Sequence, residues 1–368
     1  MRRRAAAPSV LRMDITDTSG VLDEAFQRLH AAGPERLGRL TNHAPMVAEA
    51  LVARGRPDAV HRWLDLYEER LEEFPAAVAP VTDADWAGAL GDPRRAADWI
   101  AYFGRALPEH GWRSVLATWW PRLLPGMYGG ATHPVIRVGH AVRALLRSEA
   151  SGPRLTELAH GLGYWAARHR PVTGITWFPG APQAAASLQA VPPIRALEGG
   201  FPARLARVER LPVWPGDVTD PAAARDRLTE LVRAATHRYA THGHGDATML
   251  VHAATAPSAV LRVLPALPRD LWVPGLHAAW AATAAVTAMY APAEAVPYVP
   301  PGRVAAGDVI ERAVEHGDEH VIKFADTALD VADEAGEADE AYEADEAEGG
   351  ARAYAAVLRA IELSEPLA

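Results

Sequence analysis

The sequence predicts an all-α protein, a single large multi-helical domain carrying a long Pro/Gly-rich internal loop. Three observations support this prediction. Apolar residues recur at spacings of three and four along most of the 368 residues. Period-two alternation is scarce. Proline and glycine crowd into one stretch, 171–221, between two helix-rich halves.

Residues 1–12 (MRRRAAAPSVLR) form an extension expected to be disordered, with Met13 a plausible natural start. No apolar run of signal-peptide length follows the three arginines, so no secretory signal is expected. The domain proper is expected over 13–330, beginning with a helix at 21–32. In 57–74, Pro57 and Asp58 mark an N-terminus, and Val60, Trp63, Leu64, Tyr67 and Leu71 line one helical face. Comparable patterns run through 93–107, 112–124, 133–147, 155–168, 221–239 and 246–264. Gly275–Tyr290 is the most apolar stretch. It falls short of the ~20 residues a membrane span needs and reads as a core helix. The pattern at 308–330 reads as one helix.

Within 171–221, Trp177, Phe178 and Trp214 are costly to leave in water, so the loop is expected to wrap on the surface of one domain rather than link two. Residues 331–350 repeat ADEA at 332, 338 and 344 and read as an acidic low-complexity insertion, solvated and partly disordered. An amphipathic helix at 351–363, within a C-terminal segment 351–368, is expected to pack back on the body.

Hydrophobic and charged contents of 49% and 23% are those of a globular chain. The absence of cysteine excludes disulfides, thiolate ligands and a cysteine nucleophile, and suits a reducing, cytoplasmic setting. The net charge of −9 equals the nine carboxylates between Asp333 and Glu348, so the remainder is balanced. A balanced body offers no footprint for nucleic acid or an anionic membrane. Nothing in the sequence specifies an oligomeric state.

Fifteen histidines in a cysteine-free chain are its most informative feature. Imidazole suits zinc, copper, iron and nickel. His30, His61, His110, His160, His169 and His237 lie among polar neighbours and are expected at the surface. His242 and His244 fall in a glycine-bearing turn, a poor frame for a site. His316, His320 and Lys323 are spaced to share one helical face, amid Val321, Ile322 and Phe324. A buried lysine is costly unless neutral or paired. Lysines of depressed pKa serve as bases, Schiff-base formers or carbamate carriers. HGDEH matches the H-x-x-E-H metalloprotease pattern with Glu319 as base, but too few residues follow it to supply a distant ligand. His43 follows the cap residue Asn42, His133 stands between Thr132 and Pro134 at a helix start, and His252 sits on an apolar helix. With His320 these make four histidines on separate helices, the pattern of ligands converging on a helical metal centre.

TNHAPM, ATHPVIRVGHA, LVHAATAP and GDEHVIK, in this order from about Val21 to Lys323, resemble the successive signatures of the questin oxidase-like family. The resemblance implies a helical fold and oxidation of aromatic polyketides, particularly anthraquinones, by Baeyer–Villiger-type or carbon–carbon-cleaving chemistry. It also implies non-haem iron, held by His43, His133, His252 and His320 with Lys323 as a carbamate. Ala44, Pro45 and Met46 stand where relatives carry further histidines, a departure that bears on the substrate pocket. Asn42, His140, His316 and Glu319 are left for the pocket or for support of the ligands.

The sequence thus points to an Fe(II)- and O2-dependent oxygenase acting on a small aromatic polycycle. Trp63, Trp99, Trp119, Trp120, Trp165 and Trp280 are candidates to face the substrate, although most must be core. The first alternative is a metal-free, NADPH-dependent Baeyer–Villiger monooxygenase, against which stands the lack of a G-x-G-x-x-G turn after a strand. The second is a helical scaffold without activity.

Overall fold

The computed structural model describes residues 18–300, 302, 304–337 and 343–367. The extension 1–12 and residues 338–342 of the acidic repeat lie outside the described residues. Among the described residues the structure is 68% helical with two small two-stranded sheets, so the all-α class stands. Helix α1 (Thr18–Leu29) leads into an antiparallel hairpin, β1 (Glu35–Arg36) and β2 (Leu40–Thr41), in which Arg36 faces Leu40. Then follow α2 (Ala44–Ala53), α3 (Pro57–Tyr67), α4 (Trp86–Ala89), α5 (Ala96–His110) and α6 (Trp112–Leu123). The centre of the chain supplies α7 (His133–Arg147) and α8 (Gly152–Arg168), and the loop region carries β3 (Thr176–Pro179), α9 (Ala184–Gln189), α10 (Phe201–Leu205) and β4 (Arg210–Val213). The second half comprises α11 (Pro221–His242), α12 (Ala247–Val263), α13 (Trp272–Tyr290), α14 (Ala306–His316), α15 (Glu319–Glu337) and α16 (Glu343–Leu363).

The two halves share one apolar core, with α7 and α12 packed together at its middle. They approach closely because Gly139 has no side chain. A Cβ there would stand 2.6 Å from that of Ala259, far inside van der Waals contact. Helix α8 backs α7 on one side, α13 backs α12 on the other, and α2 and α15 cross the pair at one end. The segment Ala247–Ala266 is long and apolar enough to cross a membrane, but 72% of it is buried against the rest of the protein.

Three expectations change. The pattern at 57–74 ends as helix at Tyr67 and tightens into a 3-10 turn. The single helix expected over 308–330 is two, because Gly317 adopts φ 76° and closes α14 with a left-handed cap. The acidic stretch is helical on both sides of 338–342, since α15 runs to Glu337 and α16 starts at Glu343 and packs along it. The loop 171–221 does wrap the body, tied by the parallel β3–β4 pair and by Trp214, whose indole N–H donates to the Pro182 carbonyl at 3.1 Å. Trp177, expected to be covered, is exposed.

A candidate metal centre of four histidines and a lysine

Each histidine of the centre comes from a different element. His43 precedes α2, held by Asn42, whose carboxamide accepts from the Ala44 N–H at 3.1 Å and donates to the Gly33 carbonyl at 3.0 Å. The His43 backbone N–H donates to the Tyr67 hydroxyl at 3.2 Å. His133 opens α7 after three left-handed residues, Gly130, Ala131 and Thr132. Consecutive left-handed residues other than glycine are strained, and here they turn the Gly130 carbonyl onto the ring of His133. His252 lies within the first two turns of α12. His320 lies in the first turn of α15, where Asp318 caps the helix by accepting from the N–H groups of His320 and Val321 at 3.0 and 2.9 Å.

These four rings meet. Centroid separations are 4.6 Å for His43–His133, 4.5 Å for His43–His320, 4.3 Å for His133–His252 and 5.5 Å for His252–His320. Lys323, one turn beyond His320, reaches inward and its Nζ donates to His43 Nδ1 at 2.8 Å. The five residues are 0–8% exposed. The carboxylates near Lys323 on its own helix are engaged elsewhere, Asp326 by three arginines and Glu319 by Arg70.

Tautomers follow from the partners. His133 Nδ1 is 2.7 Å from the Gly130 carbonyl and His252 Nδ1 is 3.2 Å from that of Met249. A carbonyl only accepts, so both Nδ1 atoms carry the proton and both Nε2 atoms present lone pairs. Those two Nε2 atoms face one another at 3.0 Å. Burial, followed by the neighbouring positive charge of Lys323, pushes His43 and His133 well below the ordinary histidine range. Burial, followed by the charges of His133 and His320, does the same to His252. A proton is thus a poor solution to the facing lone pairs. Burial also lowers Lys323 to about 8, although Glu319 and Asp318 partly oppose the shift.

Ring nitrogens of His43, His133 and His320 lie within 4.8 Å of one another, the spacing needed to share an ion. Ligand atoms of Glu49, His140 and Asp326 also lie within 4.8 Å of one another, but there the charge is already balanced. Arg143 bonds both Glu49 and Asp326, Arg54 reaches Asp326 at 2.7 Å and Arg262 reaches it at 2.8 Å. Three guanidiniums around two carboxylates leave no place for a cation. His140, expected near the pocket, belongs to this network, with Nδ1 2.6 Å from Glu49. Its function is to join α2, α7, α12 and α15, the elements that follow or bear the four histidines.

His316 is not at the centre. The break at Gly317 turns it away, and its Nε2 donates to the Ser364 carbonyl at 3.1 Å. Glu319 is at the rim of the centre, ion-paired with Arg70 at 3.2 Å. His160 is buried, contrary to expectation, in tilted ring contact with His30 and Phe74. All six candidate tryptophans are core: each is at most 4% exposed, and Trp63, Trp99 and Trp280 spend their N–H groups on the carbonyls of Gly317, Ala89 and Pro212. Sequence reasoning missed Tyr67 and the Glu49–Arg143–Asp326 network. The available signal was charge at apolar-face positions, such as Arg143 three residues after His140 and Asp326 three after Lys323.

Fold and site together define an all-helical protein built around a buried cluster of histidines and one lysine. Over residues 40–188 the chain matches the sequence profile of the questin oxidase-like family. The match includes His43, His133 and His140 and ends before His252, His320 and Lys323, so it is narrower than the span of the sequence motifs. The family implies an oxidoreductase of aromatic polyketides. No curated protein matches the chain.

Proposed function

We propose that the chain is a non-haem iron-dependent oxygenase acting on an aromatic polyketide or a related polycycle. The observation that carries this reading is the pair of Nε2 lone pairs, on His133 and His252, opposed at 3.0 Å in a site that resists protonation. A divalent cation relieves that repulsion, and three further donors stand beside it in His43, His320 and Lys323. Four imidazoles without a thiolate suit zinc, copper, nickel and iron alike, and the choice of iron rests on the family resemblance.

The protein's own groups have separable tasks. The carbonyls of Gly130 and Met249 hold two rings in the tautomer that exposes Nε2. Lys323, with its pKa lowered to about 8, has an accessible neutral amine. That amine attacks carbon dioxide through its lone pair and releases one proton, giving a carbamate whose oxygens are anionic. Such an anion offsets part of the charge that four neutral imidazoles leave on a divalent ion. Bound iron supplies activation of O2 toward an electron-rich aromatic ring. The apolar walls of α7 and α12 keep bulk water from the reacting atoms.

The test is metal content and its dependence on Lys323. Protein loaded anaerobically with Fe(II) should hold one iron per chain, and 13C-bicarbonate should give a carbamate carbon resonance. Lys323→Ala should lose both while remaining folded, since alanine favours helix. A Lys323→Ala protein that holds iron and oxidises substrate like the parent would refute the carbamate. A parent protein that takes up no iron but consumes NADPH would decide for the reductant-dependent monooxygenase.

A further inference from the structure

The rim of the centre carries more positive charge than the histidine cluster requires. The Glu319 carboxylate lies within 4.8 Å of a ring nitrogen of His320, and its side chain is 5% exposed. Arg70 bonds it at 3.2 Å through Nη1. Arg36 stands at 4.0 Å through Nη2, too far for a hydrogen bond, and its Nε is buried without a partner. Of the other carboxylates nearby, Asp318 is committed to capping α15 and Glu72 to the backbone N–H of Leu37. Two guanidiniums thus share one carboxylate, and one of them is left under-satisfied. Both arginines keep partial solvent contact, 23% for Arg36 and 33% for Arg70, so they form the outer side of the cluster.

Apolar surface lies next to them. Leu37 and Leu40, on the same hairpin as Arg36, are 69% and 39% exposed, and Leu40 pairs directly across from Arg36. Cationic forks beside exposed leucines match a ligand with a flat apolar body and an anionic oxygen.

We propose that Arg36 and Arg70 form the recognition site for an anionic oxygen, carboxylate or phenolate, on an aromatic molecule, and that Glu319 holds this place in the ligand-free protein. The incoming anion takes donors of Arg36 and Arg70 and displaces the Glu319 carboxylate from Arg70. The ring rests on Leu37 and Leu40. That this aromatic anion is the substrate rests on the oxygenase reading, whereas the binding itself does not.

The experiment compares 2-naphthoate with the neutral 2-naphthylmethanol by calorimetry, on full-length protein with and without iron. The acid should bind at least about tenfold more tightly than the alcohol. Arg36→Gln and Arg70→Gln should each remove most of that preference and leave the alcohol unaffected. Glu319→Gln should tighten binding of the acid, a change of sign that a merely structural role would not produce. 2-Naphthol, titrated upward in pH, distinguishes phenolate from carboxylate by whether its affinity rises to that of the acid. Equal binding of acid and alcohol overturns the proposal, as does no binding of either. So does weaker or unchanged acid binding by Glu319→Gln, which keeps the test decisive even where an arginine variant fails to fold. Naphthoate preference in a protein that takes up no iron would sustain this site and remove the oxygenase reading. Iron uptake without that preference would do the reverse.

Discussion

Nε2 of His133 and Nε2 of His252 stand 3.0 Å apart, each with its Nδ1 proton given to a main-chain carbonyl. This arrangement is unfavourable in a metal-free protein and favourable around a cation. Adding Fe(II), or Co(II) as a spectroscopic substitute, should therefore raise the melting temperature. The stabilisation should reach about 2.7 kcal/mol when free metal is a hundredfold above Kd. His252→Ala should abolish most of that rise. Scanning calorimetry with and without metal checks it, and an unchanged melting temperature in the parent would count against a metal centre.

Arg143 lies between Glu49 and Asp326 and is itself buried. Arg143→Leu leaves the buried Glu49 with His140 alone and takes one of three arginines from Asp326, and breaking a buried ion pair in this way costs about 3–5 kcal/mol. Because Glu49 sits on α2 just after His43, and Asp326 sits three residues after Lys323, metal affinity should fall as well. Denaturant titration and metal titration on the same protein measure the two losses. A variant weakened in stability but unchanged in metal affinity would show that the network supports the fold alone.

Ala131 and Thr132 adopt φ 54° and 67° before His133, and the buried Thr132 hydroxyl has no partner. Glycine accepts this conformation without the Cβ clash, so Ala131→Gly should stabilise the protein by roughly 1 kcal/mol, less the added entropy of the unfolded chain. The same change should loosen the hold of the Gly130 carbonyl on His133 and weaken metal binding. Chemical denaturation tests the first effect, and loss of stability would contradict it.

His160 is buried beside His30 and Phe74, and burial, followed by the charge of Arg137, lowers it to about 3. Its folded pKa is below the unfolded value near 6.5. The unfolded chain therefore binds more protons in between, and stability falls as pH drops from about 6.5 toward 3. Glu157 is lowered to about 2, from a normal value near 4.5, so its own contribution is lost only below about 4.5. The window from 6.5 to 4.5 thus isolates histidine. His160→Phe should reduce the slope there by one proton's share, the remainder belonging to His43, His133, His252, His237 and His242, measured as melting temperature against pH. A slope equal to that of the parent would reject the assignment.

The sequence by itself determined the all-α class and the approximate place of most long helices, and it singled out the four histidines and Lys323 as unusual in their surroundings. All of these are written in local signals, such as the three-and-four spacing along α3, Pro134 at the start of α7, or an imidazole on the apolar α12. A helical period reports which face of a helix is apolar and is silent on how one helix is rotated against the next. Only the tertiary structure decided that. The approach of α7 to α12 at Gly139 and Ala259 sets their separation, and the Arg143 network ties the elements that bring His43, His133, His252 and His320 together. The same limit explains His316. Its spacing from His320 suits a shared face, but the left-handed Gly317 divides the helix and sends His316 to Ser364. The rim behaves likewise. Arg36, Arg70 and Glu319 are far apart in the chain, and their meeting depends on how the hairpin, the 3-10 turn after α3 and the start of α15 come together.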